Sequence, residues 1–208
     1  MKHIYILLCV ASLFFTACEK KDEQTSISGL SSDYVLKLGW NQYLKGNYDS
    51  ALPYFLELTT RPNAYLKGYH ALGWTYFRLK KIVNSDLQFN QFFETDSLQT
   101  MTPSDSLYQD VKAGQSFIAY LESNYNESLS LSGQIPNSWQ FSRDFSLNYS
   151  DIMVLKAICY YNLQQYSQSL AIVKELDPEY SVDLTFIEGI IQLGNKIEQL
   201  KAIYHFDF

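Results

Sequence analysis

Cysteine, histidine and methionine are scarce, at three residues each in a chain of 208. The histidines, His3, His70 and His205, are far apart, and no cysteine cluster lies near any of them, so no metal site is expected. There is no His-Glu-x-x-His, no glycine-rich phosphate loop and no Gly-x-Ser-x-Gly elbow. Without them, the common routes to metal, nucleotide and serine-hydrolase chemistry have no signature here. The Ser-Asp and Asp-Ser pairs Ser32-Asp33, Asp96-Ser97 and Asp105-Ser106 read as helix caps and turns, and Asp177 and Glu179 as ordinary carboxylates at a helix end. Neither a cofactor nor an enzymatic role is expected. Positive charge is in deficit: 16 Lys and Arg against 22 Asp and Glu give a net charge of −6. That balance argues against a nucleic-acid surface. The apolar run Ile4–Phe15 spans twelve residues, well short of the about 20 that cross a bilayer. Proline numbers five, so long helices are allowed. Against these absences stand 47% hydrophobic and 18% charged residues, a globular balance, in a length that suits one domain or two small ones. The unusual abundance is aromatic: 17 Tyr, 13 Phe and 3 Trp supply large anchors for a core or an interface.

The start of the chain reads as a targeting segment. Met1-Lys2-His3 is a short basic beginning, Ile4–Phe15 has the length of a signal-peptide core, and small residues Thr16-Ala17 precede Cys18. Phe15-Thr16-Ala17-Cys18 resembles the lipobox of bacterial lipoproteins, with Phe15 where leucine is usual. The resemblance implies cleavage before Cys18 and a diacylglycerol on its thiol. Acyl chains bury methylenes worth about 0.8 kcal/mol each, and two or three chains hold firmly. Residues 1–17 are thus expected to be a signal peptide. Residues 18–30, polar and without periodicity after Glu19-Lys20-Lys21-Asp22-Glu23, are expected to be a flexible tether. The charged stretch is similar to the surface-export signal of lipoproteins from Bacteroidetes-type bacteria, although charged tethers also occur without that meaning. The implied address is the bacterial cell envelope, lipid-anchored, at the outer membrane, with surface exposure open. A soluble or periplasmic protein with Cys18 by chance is the alternative. Cys9 would leave with the signal and Cys18 would be acylated. Cys159 would then stand alone in an apolar helical stretch, with no disulfide partner and the character of a buried, inert thiol.

Residues 31–208 carry an internal recurrence. Leu38-Gly39-Trp40 returns as Leu72-Gly73-Trp74, 34 residues on. Gly46-Asn47-Tyr48-Asp49-Ser50-Ala51-Leu52 has relatives in Asn124–Leu129 and Gln165–Leu170. The anchors Tyr48, Ile82, Tyr125 and Tyr166 are 34, 43 and 41 residues apart, which predicts about four helix-turn-helix units, two with insertions. Small residues at Gly39, Gly73, Ala51 and Ser169 sit where two helices must cross closely. Pro53 is compatible with a helix that has it in the first turn. Ser104-Asp105 is expected to cap a helix over 107–121, and 133–150, with Trp139, Phe141 and Phe145, to be a long ordered loop. Leu184, Ile187, Ile191, Ile197, Leu200 and Ile203 mark a last periodic stretch that would cap the array, with Gly189 and Gly194 as weak points.

Val35, Leu38, Gly39, Tyr43, Gly46, Tyr48, Ala51 and Phe55, and then Tyr69, Leu72, Gly73, Tyr76 and Phe77, resemble the tetratricopeptide repeat. Departures are Lys80 for the turn glycine, Ser85 for the small alanine, no proline at the usual place, and a third unit recognisable only over Asn124–Leu129. The resemblance implies an all-α fold: a right-handed superhelix of helix-turn-helix repeats with a C-terminal capping helix. It also implies that the first helices of the units line a concave binding face. The register puts Leu36, Trp40, Tyr43 and Leu44 there, then His70, Trp74, Phe77 and Arg78, then Val154, Ile158, Tyr161 and Asn162. The candidate partner-binding residues are Trp40, Tyr43, His70, Trp74, Phe77, Arg78 and Tyr161, with Trp40 and Trp74 stacked as a ladder and Lys67 nearby. The alternative is that the tryptophans pack against neighbouring helices and seal the array. Three functional classes stay open: an envelope adaptor that holds a partner segment with apolar and acidic groups, a glycan- or nutrient-binding accessory, and a structural lipoprotein beside a membrane partner.

Overall fold

A computed structural model describes residues 27–96 and 100–204. The expected signal peptide, Cys18 and the tether up to residue 26 lie outside the described residues. Among these residues the elements are a short 3-10 turn, Ile27–Gly29, and the helices α1 (Ser32–Tyr43), α2 (Tyr48–Thr59), α3 (Tyr65–Arg78), α4 (Ile82–Thr95), α5 (Ser106–Leu121), α6 (Tyr125–Ser132), α7 (Tyr149–Asn162), α8 (Tyr166–Leu176) and α9 (Ile187–Ile203). The fold is all-α. Helices pack on their neighbours in sequence, and the odd-numbered ones also lie side by side from α1 to α9. This sequential packing is consistent with a helical solenoid.

The four helical pairs are joined by one recurring turn. Gly46, Lys80, Ser123 and Gln164 have φ of 76°, 57°, 63° and 59°, in the left-handed region. Each amide donates back to the carbonyl three residues earlier, and the next amide to the carbonyl five residues earlier: Gly46 to Tyr43 and Asn47 to Gln42, for example, or Gln164 to Tyr161 and Gln165 to Tyr160. This pairing satisfies carbonyls that a helix end leaves open. The turns are spaced 34, 43 and 41 residues apart, matching the anchors in the sequence, so the third pair keeps the turn of the first, although its second helix has eight residues against twelve. In the sequence it is recognisable only over Asn124–Leu129, because Ser123 stands where Gly46 does and Ser116 where Gly39 does.

Helix crossings follow the same register. Ala51 of α2 lies against α1, and at the equivalent places Ser85, Ser128 and Ser169 donate their hydroxyls to the carbonyls of Gly73, Ser116 and Ala157, at 2.8, 2.9 and 2.8 Å. Each serine is buried, so the bond removes a desolvated hydroxyl without adding bulk. Phe55 lies directly over Gly39, and Phe89 lies between Gly73 and Gly114, where a β-carbon would collide with its ring. Glycine is required here for close approach.

Several local expectations change. Pro53 is the sixth residue of α2, so it removes an interior amide rather than one free at a helix start. Asp105 precedes α5 but does not cap it: its carboxylate accepts from Thr102 N at 2.7 Å and Thr102 Oγ1 at 2.8 Å. Asn148 and Asp151 form a capping box that starts α7. The last helix is unbroken through both glycines, because Gly189 approaches the Asp183 carbonyl and Gly194 the Tyr161 ring. Leu193, Ile197 and Leu200 bury its inner side, while Ile187, Ile191 and Ile203 remain exposed. Ile27–Leu30, assigned to the tether in sequence, is ordered: Arg61 donates to the carbonyls of Leu30 (2.6 Å) and Ile27 (2.9 Å).

Candidate functional site

The segment 133–148, between α6 and α7, decides the shape of the face lined by the odd-numbered helices. It folds back on itself: Gln140 and Asn148 form an antiparallel bridge, the Phe141 amide donates to Leu147 O, and the Tyr149 amide to Trp139 O. Ile135, Trp139, Phe141 and Leu147 are buried. Phe141 enters between the two repeat-related tryptophans, with ring centroids 6.2 Å from Trp40, 4.5 Å from Trp74 and 6.0 Å from His70. Trp40 and Trp74 are therefore bridged by Phe141, and the expected direct ladder is interrupted. Trp74 is fully buried, and Trp40, Tyr43, His70 and Phe77 are each at most 5% exposed. The indole nitrogens of Trp40 and Trp74 have no hydrogen-bond partner among the described residues.

Asp110 of α5 sits beneath this plug. Its carboxylate accepts from Trp139 Nε1 at 3.0 Å and Ser142 Oγ at 3.2 Å, and faces His70 Nε2 at 3.2 Å. Asp110 and His70 are both 1% exposed. Such a buried carboxylate needs this number of partners to be tolerated. At the edge, Arg78 pairs with Asp144 at 3.1 Å and donates to the Tyr43 hydroxyl at 3.4 Å. Burial raises the Tyr43 phenol, against the pull of Arg78. Burial works against the charge on Arg78, but Tyr43, Tyr48 and Asp144 outweigh it, so the guanidinium titrates above its ordinary value. The aromatic and cationic residues picked out in sequence are thus brought together, and a segment of the same chain meets them with an aromatic ring and an acid. The sequence did not identify Asp110. The available signal was one acid on an apolar stripe with Ala113, Gly114 and Phe117, at helical spacing.

Further along, the face is open. A groove of about 550 Å³ runs between α5, α7 and α9, lined among others by Tyr120, Leu121, Ile158, Tyr161, Asn162, Ile191 and Asn195. Ile158, Tyr161 and Asn162 are the fourth-unit residues expected on the concave face, whereas Val154 is fully buried. The Tyr161 hydroxyl donates to Ile190 O at 3.3 Å, which fixes its ring against α9. A smaller cleft of about 290 Å³ lies at the other end, beside Trp40 and the tip of the plug. Cys159 is buried and its thiol donates to Ser128 Oγ at 3.3 Å; burial pushes the thiol up to about 11, the character of an inert structural cysteine.

Among the described residues no group of three or more His, Cys, Asp or Glu is placed to hold a metal, and no helix is long and apolar enough to cross a membrane. None of the family models, curated proteins or solved structures compared with the chain matches it.

Proposed function

We propose that the chain is a non-enzymatic, lipid-anchored envelope protein that holds a segment of a protein partner on the face of a tetratricopeptide-like right-handed superhelix. Cys18 carries the lipid, and the docking place is the open part of the face, between α5, α7 and α9. The observation that carries this reading is the plug itself. One half of the face already holds a turn of polypeptide, with an aromatic between two tryptophans and an acid on Arg78. The other half has the same kind of helices and an unfilled groove of about 550 Å³, within the usual range of about 300–1,000 Å³ for ligand sites. Leu121 and Ile191 are 37% and 54% exposed there, which gives apolar anchors beside Tyr161.

The test places a photo-crosslinking residue at Asn195 in intact cells and identifies the captured segment by mass spectrometry. The corresponding synthetic peptide should bind the purified full chain, and Leu121→Asp or Tyr161→Ala should weaken it by about tenfold or more. If the peptide fails to bind, the adaptor reading falls. A glycan that binds here and is lost with Tyr161→Ala would put the accessory class in its place. Cys18→Ser should release the protein from membranes, and membrane retention of that variant would overturn the anchor.

A further inference from the structure

The cleft beside the plug has a charge balance that points to a ligand. It is walled by four parts of the chain: Trp40 from α1, Lys67 and His70 from α3, Ser106 from α5, and Ser142 with Arg143 from the plug. No carboxylate lines it, and Asp110 lies behind the wall, accepting from Ser142 Oγ and facing His70 Nε2, each at 3.2 Å. Lys67 is 3.6 Å from Asp33, so its charge is already shared. Arg143 lies over the Trp40 ring at 5.3 Å and has no carboxylate partner among the described residues. On this exposed side chain the forked donors are left without a carboxylate, and a guanidinium fork suits a planar oxyanion. Ser106 opens α5, and because the Asp105 side chain is engaged by Thr102, no side chain caps the first amides of that helix. They add partial positive charge at the cleft.

We propose that this cleft binds the carboxylate of a small, singly charged ligand, with Arg143 as the principal partner and Lys67 and Ser106 beside it. Arg143, which has no carboxylate partner of its own among the described residues, matches one negative charge, and Asp110 behind His70 and Ser142 adds to the repulsion of any second one. Asp33 and Asp105 close by disfavour a dianion such as phosphate. The volume of about 290 Å³ is at the lower limit of ligand sites, so it takes one sugar acid or one peptide terminus rather than an oligomer. This site is separate from the groove at α9 and does not rest on the adaptor reading.

The purified full chain is titrated by calorimetry with D-glucuronate, with N-acetylglycine and with D-glucose, with tryptophan fluorescence as the second readout. One carboxylate should bind saturably, weaken with added salt and leave glucose without effect. Preference for glucuronate assigns a sugar acid, and preference for N-acetylglycine a peptide terminus. Arg143→Gln should lose about tenfold or more in affinity, Arg143→Lys should recover part of it, and both should melt with the parent because Arg143 is exposed. The proposal is overturned if neither carboxylate saturates, if glucose binds equally, or if Arg143→Gln binds as the parent does.

Discussion

Phe141→Ala measures whether the segment 133–148 is part of the core or lies on a finished one. Phe141 is fully buried, and its ring meets Trp40 and His70 across the segment and Trp74 at a centroid distance of 4.5 Å. Truncating a buried phenylalanine costs about 3–5 kcal/mol, and the upper part of that range applies where the lining cannot collapse. Here the lining consists of large rings on two packed helices, so about 4 kcal/mol is expected, against a total stability of order 5–15 kcal/mol. For a domain of this size that shifts the midpoint by roughly 8–16 °C, at about 2–4 °C per kcal/mol. Urea unfolding should be followed by both far-ultraviolet circular dichroism and tryptophan fluorescence, since all three tryptophans surround the substituted ring or belong to its segment. A loss below about 1 kcal/mol with native fluorescence would refute the reasoning. It would mean that the tryptophans keep their surroundings without Phe141, and that the segment is a detachable cover.

The other predictions concern single contacts. Asp110→Ala leaves Trp139, Ser142 and His70 without their common acceptor and should cost about 3–5 kcal/mol in denaturation, with Asp110→Asn intermediate. Gly73→Leu should destabilise by about 1–3 kcal/mol or more, because its β-carbon meets the Phe89 ring; a change within about 0.5 kcal/mol would show the helix crossing to be wrong. Lys80→Gly, Ser123→Gly and Gln164→Gly should each raise stability by up to about 1 kcal/mol, because all three hold positive φ. Gly46→Ala should lower it, and thermal melts of the four variants should follow that pattern.

Much of the helical plan could be read from the chain, because its signals are local. The 34-residue return of Leu-Gly-Trp and the anchors Tyr48, Ile82, Tyr125 and Tyr166 of the second helices show the spacing that the four left-handed turns obey. Where the local signals are replaced by serine, as at Ser116 and Ser123, the turn is kept and the sequence signal is lost: Ser116 bonds its hydroxyl within its own helix, to Ala113 O at 2.7 Å, and Ser123 takes the left-handed φ of 63° that Gly46 takes more easily. The fate of the face expected to bind a partner was not legible. Whether Trp74 faces solvent depends on where Phe141 lands, 67 residues away, and a long loop leaves that free. The exposed side of α9 was missed for a related reason: Ile187 and Ile191 fit the apolar period but have no helix beyond them to pack on.

The aromatic and cationic cluster on α1 and α3 asks for an apolar and acidic segment, and the chain supplies one in Phe141 and Asp144. An outside partner that sought Trp74 would have to displace Trp139, Phe141 and Leu147, all buried. Exposing each costs about 1.5–3 kcal/mol, or roughly 5–9 kcal/mol together. At about 1.4 kcal/mol per tenfold, that removes roughly three to six orders of magnitude from the affinity. Contacts that merely replace those of the plug recover no more than they displace. The surfaces we propose for partners are therefore those that the chain's own insertion does not fill: the groove at α9 and the cleft beside Arg143. Substitution of Trp74 reports on folding, while substitution of Tyr161 or Arg143 reports on binding. A partner whose capture depends on Trp74 but not on Tyr161, in variants shown to be folded, would reverse this assignment.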